Sequence, residues 1–464
     1  MTQFVDVAVI GAGPAGMSAA TEAAMAGLSV TVLDEHPAPG GQIYRNVETA
    51  GNARHQLLGK DYSYGLSLTG AFRSSNVEYI PRAIVWNIST DKLVEYSQDG
   101  QSKRIRAGAI ILATGAFERP CPLPGWTLPG VTTAGALQVL LKTAGVVQEN
   151  VVLVGSGPLI WLVAAQMIDV GCPPLAVVEN VPKGRMLAAL PYLLKALKAR
   201  EYLFKGIKLM QKVRRTGVPV YRQAKGIEIA GDREVQSVTF VAGGKHHRLS
   251  TKYVALHQGV VPNQQATRLL NCEHVWDRQQ HCFRPVVDAS FETSVAGIYA
   301  VGDSAGIAGA KAAELQGRIA ALSLAEKRGH RAAALRDKLN KGLRRENSIR
   351  PFLEIYYAPA PEIISPADTT IVCRCEEISA ATIRASARLG AKRPNEVKSL
   401  FRAGMGPCQG RVCGLAVQGI IAETMKQSPE EVGYYRIRAP LKPIPLSELG
   451  VYRPEPGEKE GRAV

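Results

Sequence analysis

Short apolar runs recur along the chain, and most of them stop at a glycine. Val5 to Ile10 leads into Gly11-Ala12-Gly13-Pro14-Ala15-Gly16, then an alanine-rich stretch of helical character and a second apolar run, Ser29 to Leu33. This order predicts a βαβ unit. Gly11 allows the tight turn, Gly13 lets the backbone approach a pyrophosphate, and Gly16 lets helix and strand pack closely, with phosphate charge at the helix N-terminus. Asp34, with Glu35 beside it, ends the second strand at the offset where an acid reaches a ribose hydroxyl.

Other runs end in the same way. Ile110 to Ala113 stops at Thr114-Gly115, Ile298 to Val301 stops at Gly302-Asp303, and Pro39-Gly40-Gly41-Gln42 follows the first acid. Asp303 also suits N-capping of an alanine-rich helix that begins near Gly309. The first pattern is repeated inside the chain as Val151 to Val154, Gly155-Ser156-Gly157-Pro158-Leu159-Ile160, a helix, then Leu175 to Val178 and Glu179. Gly155, Gly157 and Glu179 mark a second nucleotide site. Its third glycine is replaced by Ile160, whose β-branched side chain should hold helix and strand apart. Two readings stay open: a functional NAD(P) or adenine-nucleotide site, and a degenerate structural domain.

Composition narrows the class. With 464 residues, 46% hydrophobic and 21% charged, this is a globular chain of about three domains at roughly 150 residues each. The 56 Lys and Arg against 40 Asp and Glu give +16, which favours anionic partners. Ten of these cations lie between Lys183 and Arg215 against one acid, Glu201, and Leu187, Leu190, Leu193, Leu194 and Leu197 recur there at helical spacing. The pattern predicts an amphipathic helix with a solvated basic face, with docking of an acidic partner subunit or a phosphate as the alternative. No nucleic-acid-binding motif is present. Without a signal-peptide pattern or a run of about 18 apolar residues, a cytoplasmic protein with no membrane span is expected.

Eight cysteines fall into two groups. Cys121, Cys172, Cys272 and Cys282 are scattered and read as small buried hydrophobes. The others form Cys373-Arg374-Cys375 and Cys408-Gln409-Gly410-Arg411-Val412-Cys413, a C-x-C…C-x4-C pattern. Zinc knuckles use two-residue gaps, which this spacing lacks. Two pairs of thiolates suit a [2Fe–2S] cluster in which each iron takes two sulfurs, with zinc and an empty site as the lesser alternatives. Gly404, Gly406, Gly410 and Gly414 surround the second pair, where a Cβ-free backbone can approach and donate N–H bonds to sulfur. The stretch after Gly414 predicts a helix whose positive end faces the cluster.

Several of these segments resemble known families. Pro39 to Gln42, Ile110 to Gly115 and Ile298 to Asp303 resemble the FAD-binding elements of the two-dinucleotide-binding-domain flavoproteins, an α/β class with FAD/NAD(P)-binding Rossmann-like domains. The resemblance implies that Gly41 and Gln42 approach the flavin, that Asp303 binds the ribityl chain, and that Arg45 contacts a flavin phosphate. Gly155 to Glu179 resembles the NAD(P)H domain of thioredoxin-reductase-like enzymes. Ala134 and Leu137, however, stand where their redox cysteines fall, so thiol–disulfide exchange is not expected. The cysteine spacing resembles the bacterioferritin-associated-ferredoxin-like [2Fe–2S] domain. Through Val32 to Arg45, Ala113 to Val131, Val301 to Ala313 and Val372 to Gly414, almost the whole chain resembles one family. This is the α (A) subunit of heteromeric FAD-dependent amino-acid dehydrogenases, the family of the opine oxidase A-subunit, hydroxyproline dehydrogenase subunits and the hydrogen cyanide synthase B subunit.

These likenesses imply an FAD-binding domain in two parts, 1–120 and 251–328, with a second dinucleotide-binding domain inserted at 121–250. A linker at 329–368, a [2Fe–2S] domain at 369–435 and a Pro-rich extended tail at 436–464 follow. They imply an electron-transfer subunit with no catalytic residue of its own. The amine-oxidising FAD would lie in a separate β subunit, with a small third subunit and an interface FMN as further components. A downstream acceptor would collect the electrons and bring the complex to the periphery of the inner membrane. Two rival readings are a self-contained NAD(P)H-dependent reductase that feeds its own cluster, and an iron–sulfur storage or delivery module.

Overall fold

The computed structural model describes residues 3–450. Its apolar runs form a parallel sheet. Gln3–Ile10 pairs with Val30–Asp34 on one side and Gln101–Leu112 on the other, and Glu78–Pro81 extends the sheet beyond Val30–Asp34. Ile298–Ala300 returns from far along the chain to pair with the end of Gln101–Leu112. The start of that long strand instead carries an antiparallel hairpin, Ile84–Ile88 and Leu93–Gln98. Val7, Ala8, Val9 and Val32 are all buried, as expected of strands covered on both faces.

A second parallel sheet has the order Val220–Arg222, Ala176–Glu179, Val151–Ser156, Tyr253–Gln258, Val131–Thr133. Lys225–Ala230, Ser237–Ala242 and Lys245–Ser250 form an antiparallel sheet of their own. Here the structure corrects the boundary expected at 250. Tyr253–Gln258 belongs to the inserted sheet, because the buried Val254, Ala255 and Leu256 fill the gap between Val151–Ser156 and Val131–Thr133.

The stretch expected as a linker holds the helices Ala333–Glu346, Arg350–Tyr356 and Pro361–Ile364. The expected basic amphipathic helix is divided. Arg185–Ala189, Leu190–Tyr192, Leu193–Ala196 and Leu197–Ala199 follow one another as short α and 3₁₀ pieces before the helix Arg200–Arg215. Pro191 lacks an N–H for a regular helix, and Ala189, Ala196 and Ala199, not the leucines, take the buried face.

The core of residues 369–435 is continuous with that of the first sheet. Ile10, Leu33, Ile110 and Ile298 share one apolar core with Cys373, Cys413, Val417 and Ile420. Tail residues up to Gly450 lie on the same chain: Leu441 N–H donates to the Trp86 carbonyl at 2.6 Å, Gln409 Nε2 donates to the Pro440 carbonyl at 2.7 Å, and Lys442 pairs with Glu35. The expectation for 451–464 lies outside the described residues. Among those described, no helix is long and apolar enough to cross a membrane.

Candidate functional site

Close backbone approaches build the first glycine loop. The helix Pro14–Met25 starts from it, and a Cβ on Gly16 would lie 1.8 Å from the Gly11 carbonyl oxygen, so only glycine lets this helix seat. The Pro39–Gln42 turn folds onto the loop: Gly40 N–H donates to the Ala12 carbonyl at 2.8 Å, and a Cβ on Gly41 would lie 2.8 Å from Gly13 Cα. Gly11, Gly13 and Pro14 stay half-buried, so the loop and the start of the helix, with the Gly13 N–H, remain within reach of a pyrophosphate. The loop fits a dinucleotide.

Asp34 is buried and accepts hydrogen bonds from the N–H groups of Ala12 and, at 2.7 Å, His36, which places its carboxylate at the loop. Glu35 is exposed and paired with Lys442 instead. Arg45 sets its guanidinium 2.8 and 2.9 Å from the ring nitrogens of His36 and 2.8 Å from Gln42 Oε1. Thr114 Oγ1 donates to the Asn263 carbonyl at 3.1 Å, and Asn263 N–H donates to the Gly115 carbonyl at 2.9 Å. Gly302 N–H donates to Gln316 Oε1 at 2.8 Å. Asp303 Oδ1 accepts from the N–H groups of Ala308 and Gly309 at 2.9 and 3.1 Å, directly before the helix Ala310–Lys327. The helix takes Gly309 as its N-cap with no side-chain cap, so Asp303 braces the loop before the helix and does not cap it as the sequence suggested.

The second loop is covered. Gly155, Ser156 and Gly157 are buried, and Ile160, in the place of Gly16, buries a whole side chain against Leu153 and Val163. His257 lies over the loop, its ring 3.1 Å from where a Gly157 Cβ would be, with Nδ1 2.6 Å from Glu118 Oε1. Gln258 Oε1 accepts from Ser156 Oγ at 3.3 Å and from Ala360 N–H at 3.2 Å, which draws the segment after Tyr356 across the strand ends. Burial raises the Glu179 carboxyl above its ordinary pKa, while Arg222 at 3.8 Å and the Trp161 indole oppose the shift.

The four clustered cysteines come together. Cys373 ends the strand Ile371–Cys373, and Cys413 immediately precedes the helix Gly414–Met425, as expected. Cys413 lies beside Cys373 and Cys408 beside Cys375, so each pair takes one residue from each motif. Cys373 and Cys413 are buried, Cys408 is half-buried and Cys375 is exposed. The neighbouring Cys413 thiol, with N–H groups of Gly404, Glu376 and Cys375, outweighs burial and holds the Cys373 thiol down at about 6. Gly404 N–H reaches Cys373 Sγ at 3.5 Å, and a Cβ on Gly406 would lie 2.2 Å from Cys375 Cβ. Among the described residues no three such ligands converge as a single ion would need, and two separate thiol pairs with backbone donors match the division of a two-iron cluster.

Other residues here have no local motif. A Cβ on Gly410 or Gly414 would strike the rings of Tyr435 and Tyr434, so these glycines make room for aromatic rings. Tyr435 Oη donates to the Ala403 carbonyl at 2.8 Å and lies 3.9 Å from Cys413 Sγ. The Arg268 guanidinium lies 4.8 Å from the Phe283 ring centre and 4.6 Å from that of Tyr434, linking the first domain to the cysteine loop. Lys142 is buried, donates to the Gln42 carbonyl at 3.1 Å and Gln138 Oε1 at 2.9 Å, and burial with nearby Arg45 brings its ammonium down to about 7. Only the glycine density around Cys408 hinted at any of these.

Residues 5–328 match the pyridine nucleotide-disulphide oxidoreductase family, and residues 371–423 match the BFD-like [2Fe-2S] binding domain. The A-subunit of opine oxidase from Agrobacterium tumefaciens (strain Ach5) is 44% identical, over 97% of this chain and 92% of that one. The chain belongs to the opine oxidase A-subunit family. As a member it is a flavin oxidoreductase chain whose matched domains indicate FAD/NAD(P) binding and a [2Fe–2S] cluster. Hydrogen cyanide synthase subunit HcnB of Pseudomonas aeruginosa is 30% identical over 95% of this chain and 97% of its own. Both relatives are named as subunits, which places this family among multi-subunit enzymes. The L-proline dehydrogenase from P. horikoshii has the same fold, with a TM-score of 0.70 at 18% identity, covering 96% of this chain and 79% of that one.

Proposed function

We propose that this chain is the flavin and [2Fe–2S] electron-transfer subunit of a heteromeric dehydrogenase. Its substrate is an amino acid or secondary amine of hydroxyproline, proline, opine or glycine type, oxidised at an FAD in a partner β subunit. The observation that carries this reading is the apolar core that Ile10, Ile110 and Ile298 share with Cys373 and Cys413. It makes the first nucleotide-binding sheet and the inner cysteine pair parts of one continuous apolar core. Flavin takes electrons as a pair and can release them singly, whereas a [2Fe–2S] cluster carries one.

The residues divide the work of holding these groups. Gly11, Ala12, Gly13, Pro14, Ala15 and Gly16 bind the pyrophosphate, Asp34 the ribose, and Gly302 with Asp303 the ribityl chain. Gly41, Gln42, Thr114 and Gly115 border the ring system, and Arg45 is a phosphate contact. Cys373, Cys375, Cys408 and Cys413 are the iron ligands. Burial of Cys373 and Cys413 keeps water from the inner side, and the exposed Cys375 leaves the outer side open to a one-electron acceptor. A small third subunit, an interface FMN and an acceptor at the inner membrane complete the assembly.

Glu179, engaged by Arg222 and Trp161 beneath the Ala360 segment, supports entry of electrons from the partner and not from NAD(P)H. Anaerobic titration tests the reading. NADH alone should leave the flavin absorbance unchanged, whereas partner subunit plus amine substrate should bleach it. Stoichiometric bleaching by NADH without the partner would overturn the proposal in favour of a self-contained reductase.

A further inference from the structure

A cavity of about 430 Å³ lies between the hairpin His274–Asp277 and Cys282–Pro285, the helix Pro361–Ile364 and the helix Gly414–Met425. Its walls are mostly apolar, with Trp276, Ile363, Ile364 and Leu415 among them. Two of its lining side chains, Arg119 and Gln418, are only 5 and 0% exposed, and each keeps a buried polar atom without a hydrogen-bond partner. Arg119 donates from its two terminal nitrogens to the His281 and Gln280 carbonyls at 3.0 and 2.6 Å, which leaves Nε. Gln418 Nε2 donates to the Pro429 carbonyl at 2.7 Å, which fixes the amide and leaves Oε1.

The charge of Arg119 is uncompensated as well. Neighbouring Glu118 is engaged by His257 at 2.6 Å and by the Gly135 N–H at 2.9 Å. The groups that favour the Arg119 cation are the thiols of Cys282 and Cys121, and burial raises both, Cys282 to about 12, so they are neutral at pH 7. His281, also at the cavity, is brought down to about 4 by burial and by Arg119, and adds no charge. Arg278, at the same cavity, is exposed and already faces Glu430 at 3.8 Å. A buried cation calls for an anion, and an apolar pocket with a few convergent polar groups is the usual form of a small-molecule site. Gln418 Oε1 adds the need for a donor on the same ligand. We propose that this cavity binds an α-amino acid with an apolar side chain. Its carboxylate meets Arg119, its ammonium meets Gln418 Oε1, and its side chain lies among Trp276, Ile364 and Leu415. Binding needs neither the partner subunit nor a redox group, so it stands independently of the electron-transfer reading.

Isothermal titration calorimetry of the cofactor-loaded full chain tests it. L-leucine and L-phenylalanine should bind. The analogue 3-phenylpropanoate, which lacks the amine, should bind about ten-fold more weakly than phenylalanine. For 2-phenylethylamine, which lacks the carboxylate, the loss should be about thirty-fold or more. Arg119→Met should abolish amino-acid binding, and Gln418→Met should remove the difference between phenylalanine and 3-phenylpropanoate. Ile364→Trp, which fills the cavity, should block all of these ligands while FAD and iron contents stay those of the unaltered chain. Absence of binding by both amino acids, equal binding of 2-phenylethylamine, or binding that survives Ile364→Trp would overturn the proposal. So would displacement of the amino acid by FMN, which would assign the cavity to the interface flavin.

Discussion

The two glycine loops of this chain occupy equivalent places at the ends of parallel strands, yet they differ at the residue where helix meets strand. At Gly16 there is no room even for a Cβ, while at the matching place the second loop accommodates the whole side chain of Ile160. The first loop keeps Gly11 and Gly13 partly open, whereas their counterparts Gly155 and Gly157 are buried, with His257 over Gly157 and the Ala360 segment bonded to Gln258; Pro158 at the helix start stays exposed. A glycine signature is therefore a necessary part of a dinucleotide site and an insufficient one. Its third glycine sets the helix position, and distant chain decides whether the loop can be reached.

Exchanging the residue that differs should have the greatest consequence. Gly16→Ile is expected to leave less than about a tenth of the normal FAD in the purified protein, because its Cβ would overlap the Gly11 carbonyl. Ile160→Gly should keep FAD and lower unfolding stability by about 3–5 kcal/mol through the cavity it leaves, measured by denaturant titration. Full FAD retention in Gly16→Ile would remove the basis of the contrast.

The two acids should separate next. Asp34→Ala is expected to weaken FAD binding by about 1.5–3 kcal/mol, the range for hydrogen bonds to a charged group, whereas Glu179→Gln should leave the FAD dissociation constant unchanged. Glu179 should show itself in stability instead. Burial raises its folded-state pKa above 4.5, so the folded state binds more protons than the unfolded chain and stability falls as pH rises through that window. Glu179→Gln should flatten this slope, which thermal melts across pH 4 to 8 would reveal.

Both glycine loops, the terminal acids and the two cysteine motifs were legible because each is a local signature, with residue types at short fixed offsets, whereas the pairing of cysteines across the two motifs was not. The covering of the second loop was not, since Ala360 reaches Gln258 across 102 positions of the chain. Tyr434, Tyr435 and Arg268 escaped for the same reason. Apolar periodicity between Leu187 and Leu197 was visible, but its orientation was misjudged: small alanines allow closer packing on Ile349 and Phe352 and displace the leucines outward. The sheet boundary at 250 failed because Val254–Leu256 is an apolar run that either domain could have used.

A smaller effect concerns Lys142 beneath Gln42. With its folded-state pKa down at about 7, the folded protein leaves it neutral where the unfolded chain protonates it, so stability declines as pH falls from about 10.5 to about 7. Lys142→Met should abolish that decline and any flavin absorbance change with a midpoint near pH 7. An unchanged spectral titration would place Lys142 away from the flavin.

Electron paramagnetic resonance of the anaerobically isolated chain after dithionite reduction bears most directly on the relay. A one-electron iron signal accounting for one [2Fe–2S] cluster per FAD is expected, and Cys373→Ser should remove it while FAD remains bound. A chain that holds FAD but shows no such signal, or a signal untouched by Cys373→Ser, would contradict the account.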